Sequence, residues 1–311
     1  MAKRLHKSGF KNWTPDRLPS LSGTTFLITG GNSGIGFEAA KMLAAAGGRL
    51  VIAARNPAKA ADAVQTLADM GAPPAETLSL DLSDLSYVRA AADEARARFP
   101  RLDALINNAG IMQTPQTTTK DGFELQFATN HLGHFLFAGL LFGSVQAAAG
   151  RIVAVASIAH KYGAINFDDL MLTDEYTPTR AYCQSKLANV LFALELDRRL
   201  QAKNSPAMAV ACHPGYSATN LQSTGPRGFL KALYGPLNAL LAQPAYNGAI
   251  PTVLAAAGEE AKAGGYYGPQ DMREARGRVS DATVSKAGLD KEAAARLWDE
   301  SERLVDFRWP L

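Results

Sequence analysis

Short apolar runs alternate with segments of helical periodicity along most of the chain. The runs are rich in Val, Ile, Leu and Ala, which is typical of strands buried on both faces, and the segments between them have the spacing of amphipathic helices. This alternation is the signature of βαβ units. We therefore predict an α/β protein with one doubly wound, parallel sheet of about seven strands and helices on both faces.

The element boundaries follow from Gly, Pro and Asn residues between the periodic segments. The predicted strands are Thr25 to Thr29, Leu50 to Ala54, Glu76 to Leu80, Ala104 to Asn107, Ile152 to Ser157, Ala207 to Cys212 and Gly265 to Gly268. The predicted helices are Gly34 to Ala46, Ala58 to Met70, Leu85 to Phe99, Phe123 to Gly143, Arg180 to Gln201, Ala245 to Ala257 and Lys291 to Val305.

The domain organisation is that of a single unit with attachments. An N-terminal extension, 1–21, precedes one domain over 22–311, which ends in a helical tail carrying Trp298, Phe307 and Trp309. The pattern loosens over about 214–244, which is rich in Gly and Pro. Because doubly wound sheets bind ligands beyond the carboxyl ends of their strands, this stretch is predicted to be a substrate lid.

Composition and charge exclude several classes of protein. Hydrophobic residues make up 47% of the chain and charged residues 20%, and the formal net charge is +3, which does not favour nucleic-acid binding. The basic stretch from Lys3 to Lys11 is predicted to be a solvated, fraying end. No apolar run approaches the roughly 20 residues of a membrane span and no signal peptide is evident, so we expect no membrane anchor and a cytoplasmic location.

No metal site is predicted. Cys183 and Cys212 lack a CxxC or histidine spacing, and a disulfide is not expected in a reducing cytosol. His131 and His134 lie three residues apart, but no suitable third ligand is evident. His160 is expected to pack a loop rather than to take part in catalysis.

A glycine-rich turn joins the first predicted strand to the first helix. Within it, six residues are candidates for cofactor contact: Gly30, Asn32, Ser33, Gly34, Ile35 and Gly36. Glycine lets the backbone approach a pyrophosphate closely, and the helix N-terminus offers unpaired N–H groups. Alone the cluster could be a tight turn, but its position between strand and helix indicates a Rossmann dinucleotide site.

The end of the second strand carries a signal for the type of cofactor. NAD sites usually place an Asp or Glu there, whereas this chain reads Ala53-Ala54-Arg55-Asn56. A guanidinium at this point suits a ribose 2′-phosphate, so we predict that NADP(H) is preferred over NAD(H), with Arg55 and Asn56 as contacts. The alternative is that Arg55 is an ordinary surface residue.

Two further strand ends carry candidate cofactor contacts. Asp81 and Leu82 follow the third strand and could border the adenine, although Asp81 could equally cap a helix. After the fourth strand, Asn107 could bridge neighbouring strand ends. The small residues that follow it let the backbone pass close to the cofactor, namely Asn108, Ala109 and Gly110.

Tyr182 and Lys186 are candidates for proton chemistry. Residues four apart project from one face of a helix, so an ammonium can lie beside a phenol and favour its ionised form. A phenol near neutrality can then donate or accept a proton. A lone pair of this spacing is usually a solvated helix face, so the assignment depends on its occurring together with the glycine turn.

The motifs together resemble the short-chain dehydrogenase/reductase family over about 22 to 270. They are Thr29 to Gly36, Asn107 to Gly110, Asn130, Ser157, Tyr182-x-x-x-Lys186 and Pro214-Gly215, in the family's order and approximate spacing. The chain resembles the retinol-dehydrogenase-like branch in Asn130 to Phe135, Ser157 to His160 and Tyr182 to Asn189.

The resemblance implies roles for these residues. Tyr182 would be the general acid/base, and Lys186 would lower its pKa and bind the nicotinamide ribose. Ser157 would donate a hydrogen bond to the substrate carbonyl, and Asn130 would hold a water linking Lys186 to solvent. The segment flanking the nicotinamide would be Pro214, Gly215 and Thr219, although Pro-Gly after a strand is also simply a good turn.

The expected function is an NADP(H)-dependent oxidoreductase that interconverts an alcohol with an aldehyde or ketone. A hydrophobic substrate is suggested by apolar residues of the predicted lid, namely Phe229, Leu230, Leu233, Tyr234 and Leu237. Two alternatives stay open: a ketoacyl-thioester reductase, and a non-catalytic NADP(H)-sensing binding protein. The resemblance also implies a homo-oligomer, dimer or tetramer, formed through the helices beginning near Phe123 and Arg180.

Overall fold

The computed structural model describes residues 2–217 and 243–311. Within these ranges the strands are β1 (Lys3–Arg4), β2 (Thr25–Thr29), β3 (Arg49–Ala54), β4 (Glu76–Ser79), β5 (Ala104–Asn107), β6 (Arg151–Val155), β7 (Met208–Cys212), β8 (Tyr266–Asp271), β9 (Arg276–Asp281) and β10 (Thr283–Val284). The helices are α1 (Gly34–Ala45), α2 (Pro57–Asp69), α3 (Leu85–Arg98), α4 (Leu125–Phe127), α5 (Gly133–Ala147), α6 (Pro178–Ala202), α7 (Ala245–Ala257) and α8 (Lys291–Leu304).

The described residues form a doubly wound sheet with strand order β4-β3-β2-β5-β6-β7-β8-β9. Its first seven strands are parallel, and β9 pairs antiparallel with β8. The order reverses between β2 and β5, so the chain leaves the two strands in opposite directions along the sheet. The crevice above this reversal is where doubly wound folds bind ligands.

The predicted strands and helices are present, and the single-domain doubly wound fold is confirmed. The sheet has one strand more than the prediction, because β9 was missed. Its sequence carries polar residues, and only Val279 and Asp281 are buried, so it lacks an apolar run. Edge strands commonly look like this, since one side faces water. The small β1–β10 pair was missed for the same reason.

Alternate residues of the strands face two separate cores. Leu27 and Val51 pack on the side of α3, α5 and α6, whereas Phe26 and Ile28 pack on the side of α1 and α7. Parallel strands buried on both faces read as continuous apolar runs, which is the pattern that predicted them.

The predicted long helix from Phe123 to Gly143 is interrupted. Between α4 and α5, Ala128–Leu132 form a π-helical turn. Such a turn adds one residue to the helix and is frequent at functional sites. The hydrophobic periodicity of the sequence does not resolve an insertion of one residue.

The N-terminal segment is more ordered than a fraying end. The side chains of Lys3 and Arg4 are exposed, yet their backbone pairs with β10. Trp13 is fully buried, and its indole N–H donates to Glu260 Oε2 at 2.7 Å while its backbone N–H donates to Val279 O at 3.0 Å. This segment therefore packs against the edge of the sheet that ends in β9.

The C-terminal tail covers the outer face of α5 and α6. The ring centroids of Trp309 and Phe135 lie 5.6 Å apart, and those of Trp298 and Phe192 lie 5.9 Å apart in a stacked arrangement. A Cβ atom on Gly139 of α5 would lie 2.5 Å from the Phe307 ring. This face is part of the surface through which the resemblance implied association.

No helix within the described ranges is both long and apolar enough to cross a membrane. Most of the predicted substrate lid, residues 218–242, lies outside the described residues. The same is true of Thr219 and of the apolar residues on which the hydrophobic substrate was predicted: Phe229, Leu230, Leu233, Tyr234 and Leu237.

Candidate active site

The glycine turn lies at the reversal of the sheet, between β2 and α1. Gly30 and Gly34 have φ values of 65° and 54°, which favour glycine. A Cβ atom on Gly36 would lie 2.6 Å from Gly30 O. Ser33 precedes α1 without a side-chain cap, so the first N–H groups of that helix are left for another partner.

A hydrogen-bond hub joins this turn to the end of β5. Thr29 Oγ1 accepts from the backbone N–H groups of Asn108 and Ala109, each at 2.9 Å. The Asn108 side-chain amide donates back to Thr29 O at 2.8 Å. The two loops that border the crevice are thus held at a fixed separation. Thr29 lies within the first family motif, but its bridging role was not predicted.

His134 completes the hub. Its Nδ1 lies 3.0 Å from Asn130 O, which accepts only, so Nδ1 carries the proton and Nε2 accepts from the Thr29 hydroxyl at 2.8 Å. Burial lowers the pKa of His134 to about 4, so the ring is neutral at pH 7. The imidazole therefore links α5 to the end of β2 without adding charge to the crevice.

The prediction that Asn107 bridges strand ends was wrong, because Asn108 does so. Asn107 is 3% exposed, and neither of its side-chain polar atoms has a hydrogen-bond partner among residues 2–217 and 243–311. A buried amide without partners is costly, and this one lies at the carboxyl end of β5.

The predicted 2′-phosphate contacts follow β3. Arg55 is exposed and makes no ion pair with any residue in the described ranges, so its guanidinium is available to a ligand. The Asn56 side chain is already used, because its oxygen accepts from Lys59 N at 3.0 Å and caps α2.

The predicted adenine contacts follow β4. Asp81 Oδ1 accepts from the backbone N–H and the hydroxyl of Ser83 at 2.9 and 2.6 Å, whereas the cap of α3 is Asp84. Leu82 is buried, and its carbonyl lies against Gly133 at the start of α5. Cofactor contact by either residue stays a prediction.

Helix α6 presents Tyr182 and Lys186 one turn apart. Thr177 caps the helix by accepting from Arg180 N at 3.1 Å, and Pro178 occupies its first turn. Tyr182 is partly buried, and Lys186 Nζ lies 5.9 Å from the centroid of its ring. The spacing therefore brings the ammonium beside the phenol, as predicted.

Lys186 is buried, with 3% of its surface exposed. Its Nζ donates to Val155 O at 3.1 Å, at the carboxyl end of β6. Burial lowers the pKa of Lys186 to about 8, because the charged form loses its hydration. The amine is still mostly protonated at pH 7 and needs further hydrogen-bond acceptors.

Ser157 lies two residues past the end of β6 and begins the short helical turn Ile158–Tyr162. Its Oγ accepts from Ala159 N at 3.2 Å, which leaves the hydroxyl hydrogen available to donate elsewhere. Sequence reasoning predicted this donor role, and the hydrogen-bond geometry is compatible with it.

Asn130 lies in the π-helical turn. Its side-chain oxygen accepts from Ile111 N at 2.8 Å, and its amide donates to Ile111 O and to Ser185 Oγ, both at 2.9 Å. The side chain therefore fixes the chain after Gly110 to α6. The predicted water between Asn130 and Lys186 stays a prediction.

His160 and His131 have structural contacts. His160 is fully buried, and its ring binds Ser157 O at 2.7 Å, in keeping with the predicted packing role. His131 Nε2 lies 2.9 Å from Ser301 Oγ of α8. In the described part of the chain, no three His, Cys, Asp or Glu side chains come together as metal ligands would.

Pro214 and Gly215 follow β7, as predicted. Gly215 has a φ of 70°, and a Cβ atom there would collide with Ala275 O, so only glycine fits. The third predicted member of this segment, Thr219, lies outside the described residues.

The crevice suits a dinucleotide. A glycine turn leads to a helix N-terminus that Ser33 does not cap, and the Arg55 guanidinium, which follows the neighbouring strand, has no ion-pair partner within the described ranges. Tyr182, Lys186 and Ser157 belong to the same carboxyl-end side of the sheet. These residues could hold a phosphorylated cofactor and move a proton beside it.

Comparison with known proteins agrees with this description. The family model for short chain dehydrogenase matches residues 24–227. Human retinol dehydrogenase 13 is 39% identical over 307 residues, covering 94% of this chain and 87% of its own length. Short-chain dehydrogenase TIC 32 B, chloroplastic, from Brassica napus is 38% identical over 295 residues, covering 91% of this chain and 88% of its own.

Solved structures share the fold. An uncharacterized protein from Mycobacterium Paratuberculosis has a TM-score of 0.81 and 40% identity, covering 96% of this chain and all of its own. A short chain dehydrogenase from Burkholderia cenocepacia J2315, in complex with NADP, has a TM-score of 0.62 and 23% identity, covering 79% and 96%. The chain belongs to the short-chain dehydrogenase/reductase family of oxidoreductases, in its retinol-dehydrogenase-like branch.

Proposed function

We propose that this protein is an NADP(H)-dependent oxidoreductase that interconverts an alcohol with an aldehyde or ketone. The observation that carries the proposal is the Lys186 ammonium, buried beside the Tyr182 ring at 5.9 Å with a backbone carbonyl as its described hydrogen-bond partner. Burying a charged amine costs free energy, and a single carbonyl partner replaces only part of the hydration that the ammonium loses. A binding protein has no need of this arrangement, since binding alone requires no proton transfer.

Three side chains have separate roles in the proposed reaction. A nicotinamide cofactor bound in the crevice would supply or accept the hydride. Tyr182 would pass a proton to or from the substrate oxygen, and Lys186 would stabilise the phenolate that this leaves. The Ser157 hydroxyl would donate a hydrogen bond to the same oxygen and stabilise the negative charge that develops on it.

The preference for NADP(H) is proposed from Arg55. Its guanidinium follows β3, is exposed and makes no ion pair within the described residues. Between Glu38 and Asp62 the sequence has no acidic residue that could bind a ribose 2′-hydroxyl. A free guanidinium binds a phosphate through paired N–H groups, which an unphosphorylated ribose cannot use.

A hydrophobic substrate is proposed from the apolar residues of the predicted lid. Retinoids are among the candidate substrates, because human relatives carry the name retinol dehydrogenase. Self-association is also proposed. A second copy that approached α5 and α6 would contact the C-terminal tail, because Trp309 packs against Phe135 and Phe142.

The direct experiment is NADPH oxidation by the purified protein against aldehydes and ketones graded in chain length and ring content. Retinaldehyde and an acetoacetyl thioester belong in the panel, and NADH is run in parallel. We expect turnover with NADPH on bulky apolar carbonyls. Turnover on the thioester alone would favour the ketoacyl-thioester alternative, and tight NADPH binding without any turnover would favour a sensing protein.

A further inference from the structure

A buried carboxylate lies behind the candidate active site and has no role in the proposed reaction. Glu274, in the turn between β8 and β9, is 7% exposed. One oxygen accepts from Lys161 Nζ at 2.6 Å, and the other accepts from the backbone N–H and hydroxyl of Thr283 at 3.0 and 2.8 Å. Burial opposes its ionisation, but neighbouring His213 and Lys161 outweigh this and lower the pKa of Glu274 to about 2.

The first connection of Glu274 leads to Ser157. Lys161 belongs to the short helical turn Ile158–Tyr162, whose first turn is capped by Ser157. In the same turn, the ring of His160 binds Ser157 O at 2.7 Å and accepts from Ser285 N at 3.3 Å. The turn that begins at Ser157 is thus fastened at two points to the segments following β8, and one of these points is Glu274.

The second connection leads to the loop after β7. His213 is fully buried, and its Nδ1 accepts from Gly215 N at 3.2 Å, so the ring proton is on Nε2. That nitrogen lies 3.4 Å from the Glu274 carboxylate, a close polar contact whose geometry falls short of a hydrogen bond. One residue further, Ala275 O accepts from Tyr216 N at 2.7 Å. The β8–β9 turn therefore also holds the segment that contains the predicted nicotinamide contacts Pro214 and Gly215.

The backbone that carries Glu274 is strained. Met272, Arg273 and Glu274 have φ values of 49°, 57° and 68°, three successive non-glycine residues in the left-handed region. Such conformations persist when the surrounding contacts determine them, and they cluster at functional sites. Glycine in place of Met272 and Arg273 would relieve the strain. The more flexible turn would then not fix the direction of the Glu274 side chain.

We propose that Glu274 is a positioning residue of this active site. Its carboxylate holds the turn of Ser157 through Lys161, while the β8–β9 turn that carries it holds the loop after β7 through the backbone bond from Tyr216 to Ala275 and lies against the His213 ring. Glu274 acts through Lys161 and the backbone rather than by touching substrate. The proposal rests on the proposed function, because the position of Ser157 matters to a rate only if its hydroxyl polarises a carbonyl. Displacing such a donor by about 1 Å can lower turnover about a hundredfold.

The test compares Glu274→Ala and Glu274→Gln with Glu195→Ala as control. Glu195 is equally buried and binds Arg198 and Arg199, nine residues beyond Lys186 along α6. We expect Glu274→Ala to lower kcat about a hundredfold with little change in KM or in the NADPH Kd. Glu274→Gln should recover much of kcat, because its amide oxygen still accepts a hydrogen bond. Glu195→Ala should lower Tm and leave kcat unchanged.

A second readout does not depend on activity. Amide hydrogen exchange of the variants, measured well below their Tm, should show lost protection in 157–162 and in 213–217 together in Glu274→Ala, a smaller loss in Glu274→Gln and none in Glu195→Ala. Unchanged protection in both segments, or an unchanged kcat in folded Glu274→Ala, overturns the positioning role. A wild type without turnover refutes the proposed function instead, and the exchange data still decide whether Glu274 ties the two segments. If Glu274→Ala fails to fold, Lys161→Met, which removes the partner of the Glu274 carboxylate on the turn of Ser157, carries the readouts of kcat and of protection in 157–162.

Discussion

The burial of Lys186 predicts that removing a central side chain of the active site stabilises the protein. Burial lowers the pKa of Lys186 from 10.5 to about 8. At about 1.4 kcal/mol per pH unit, the charged ammonium destabilises the fold by about 3 kcal/mol at pH 7. Lys186→Met removes the charge and keeps an unbranched side chain of similar volume. It also removes a hydrogen bond to Val155 O, worth about 1 kcal/mol, although that carbonyl still accepts from Asn189 at 3.3 Å.

The net expectation is a gain of about 2 kcal/mol in the free energy of unfolding at pH 7, with activity lost. The gain should shrink as pH rises from about 8 to about 10.5, because across this window the unfolded chain binds a proton at Lys186 that the folded chain has released. Wild-type stability therefore rises relative to that of the variant. Titrating groups that do not interact with Lys186 are common to both proteins and cancel in the difference.

The assay is urea denaturation of wild type and variant without cofactor, at pH 7 and at pH 10. Lys161→Met is the matched control, because it leaves the Glu274 carboxylate without its cation and should destabilise by about 2 kcal/mol. A Lys186→Met protein less stable than wild type at pH 7, or a difference that does not change with pH, would refute the reasoning.

Three further outcomes are expected. Arg55→Asp should weaken NADPH binding at least tenfold and improve NADH binding, measured by cofactor fluorescence titration; an unchanged NADPH Kd would remove Arg55 from the site. Gly36→Ala should abolish cofactor binding in a protein that is still folded by circular dichroism, because the new Cβ atom would lie 2.6 Å from Gly30 O. Gly139→Ala should lower the free energy of unfolding by about 1–3 kcal/mol, measured by urea denaturation, because the new Cβ atom would lie 2.5 Å from Phe307 and 2.8 Å from Trp309. Alanine normally stabilises a helix relative to glycine, so a more stable variant would show that the tail is not packed there.

The sequence was sufficient to predict those features that depend only on residues close together along the chain. Strands buried on both faces read as nearly continuous apolar runs, so β2 and β5 were predicted with the boundaries that the structure has. The helical spacing of Tyr182 and Lys186 fixes their common face, and the glycine turn restricts its own backbone. These features depend on neighbours in sequence.

The sequence was insufficient where contacts between distant segments decide. The choice between Asn107 and Asn108 depends on which amide faces Thr29, and Thr29 lies on another strand. The burial of Trp13 depends on Glu260, which lies far along the chain. Strand β9 is recognisable only as the partner of β8, since its own residues are polar.

The measurement that tests the central claim most directly is NADPH oxidation by Tyr182→Phe beside wild type, on the best carbonyl substrate of the panel. The matched control is Tyr87→Phe, which removes the hydroxyl of a tyrosine that is 55% exposed on α3. If Tyr182 transfers the proton, its variant loses about 10²–10⁴-fold in kcat and keeps the wild-type NADPH Kd, while the control is unaffected. Turnover by Tyr182→Phe at the wild-type rate would contradict the account.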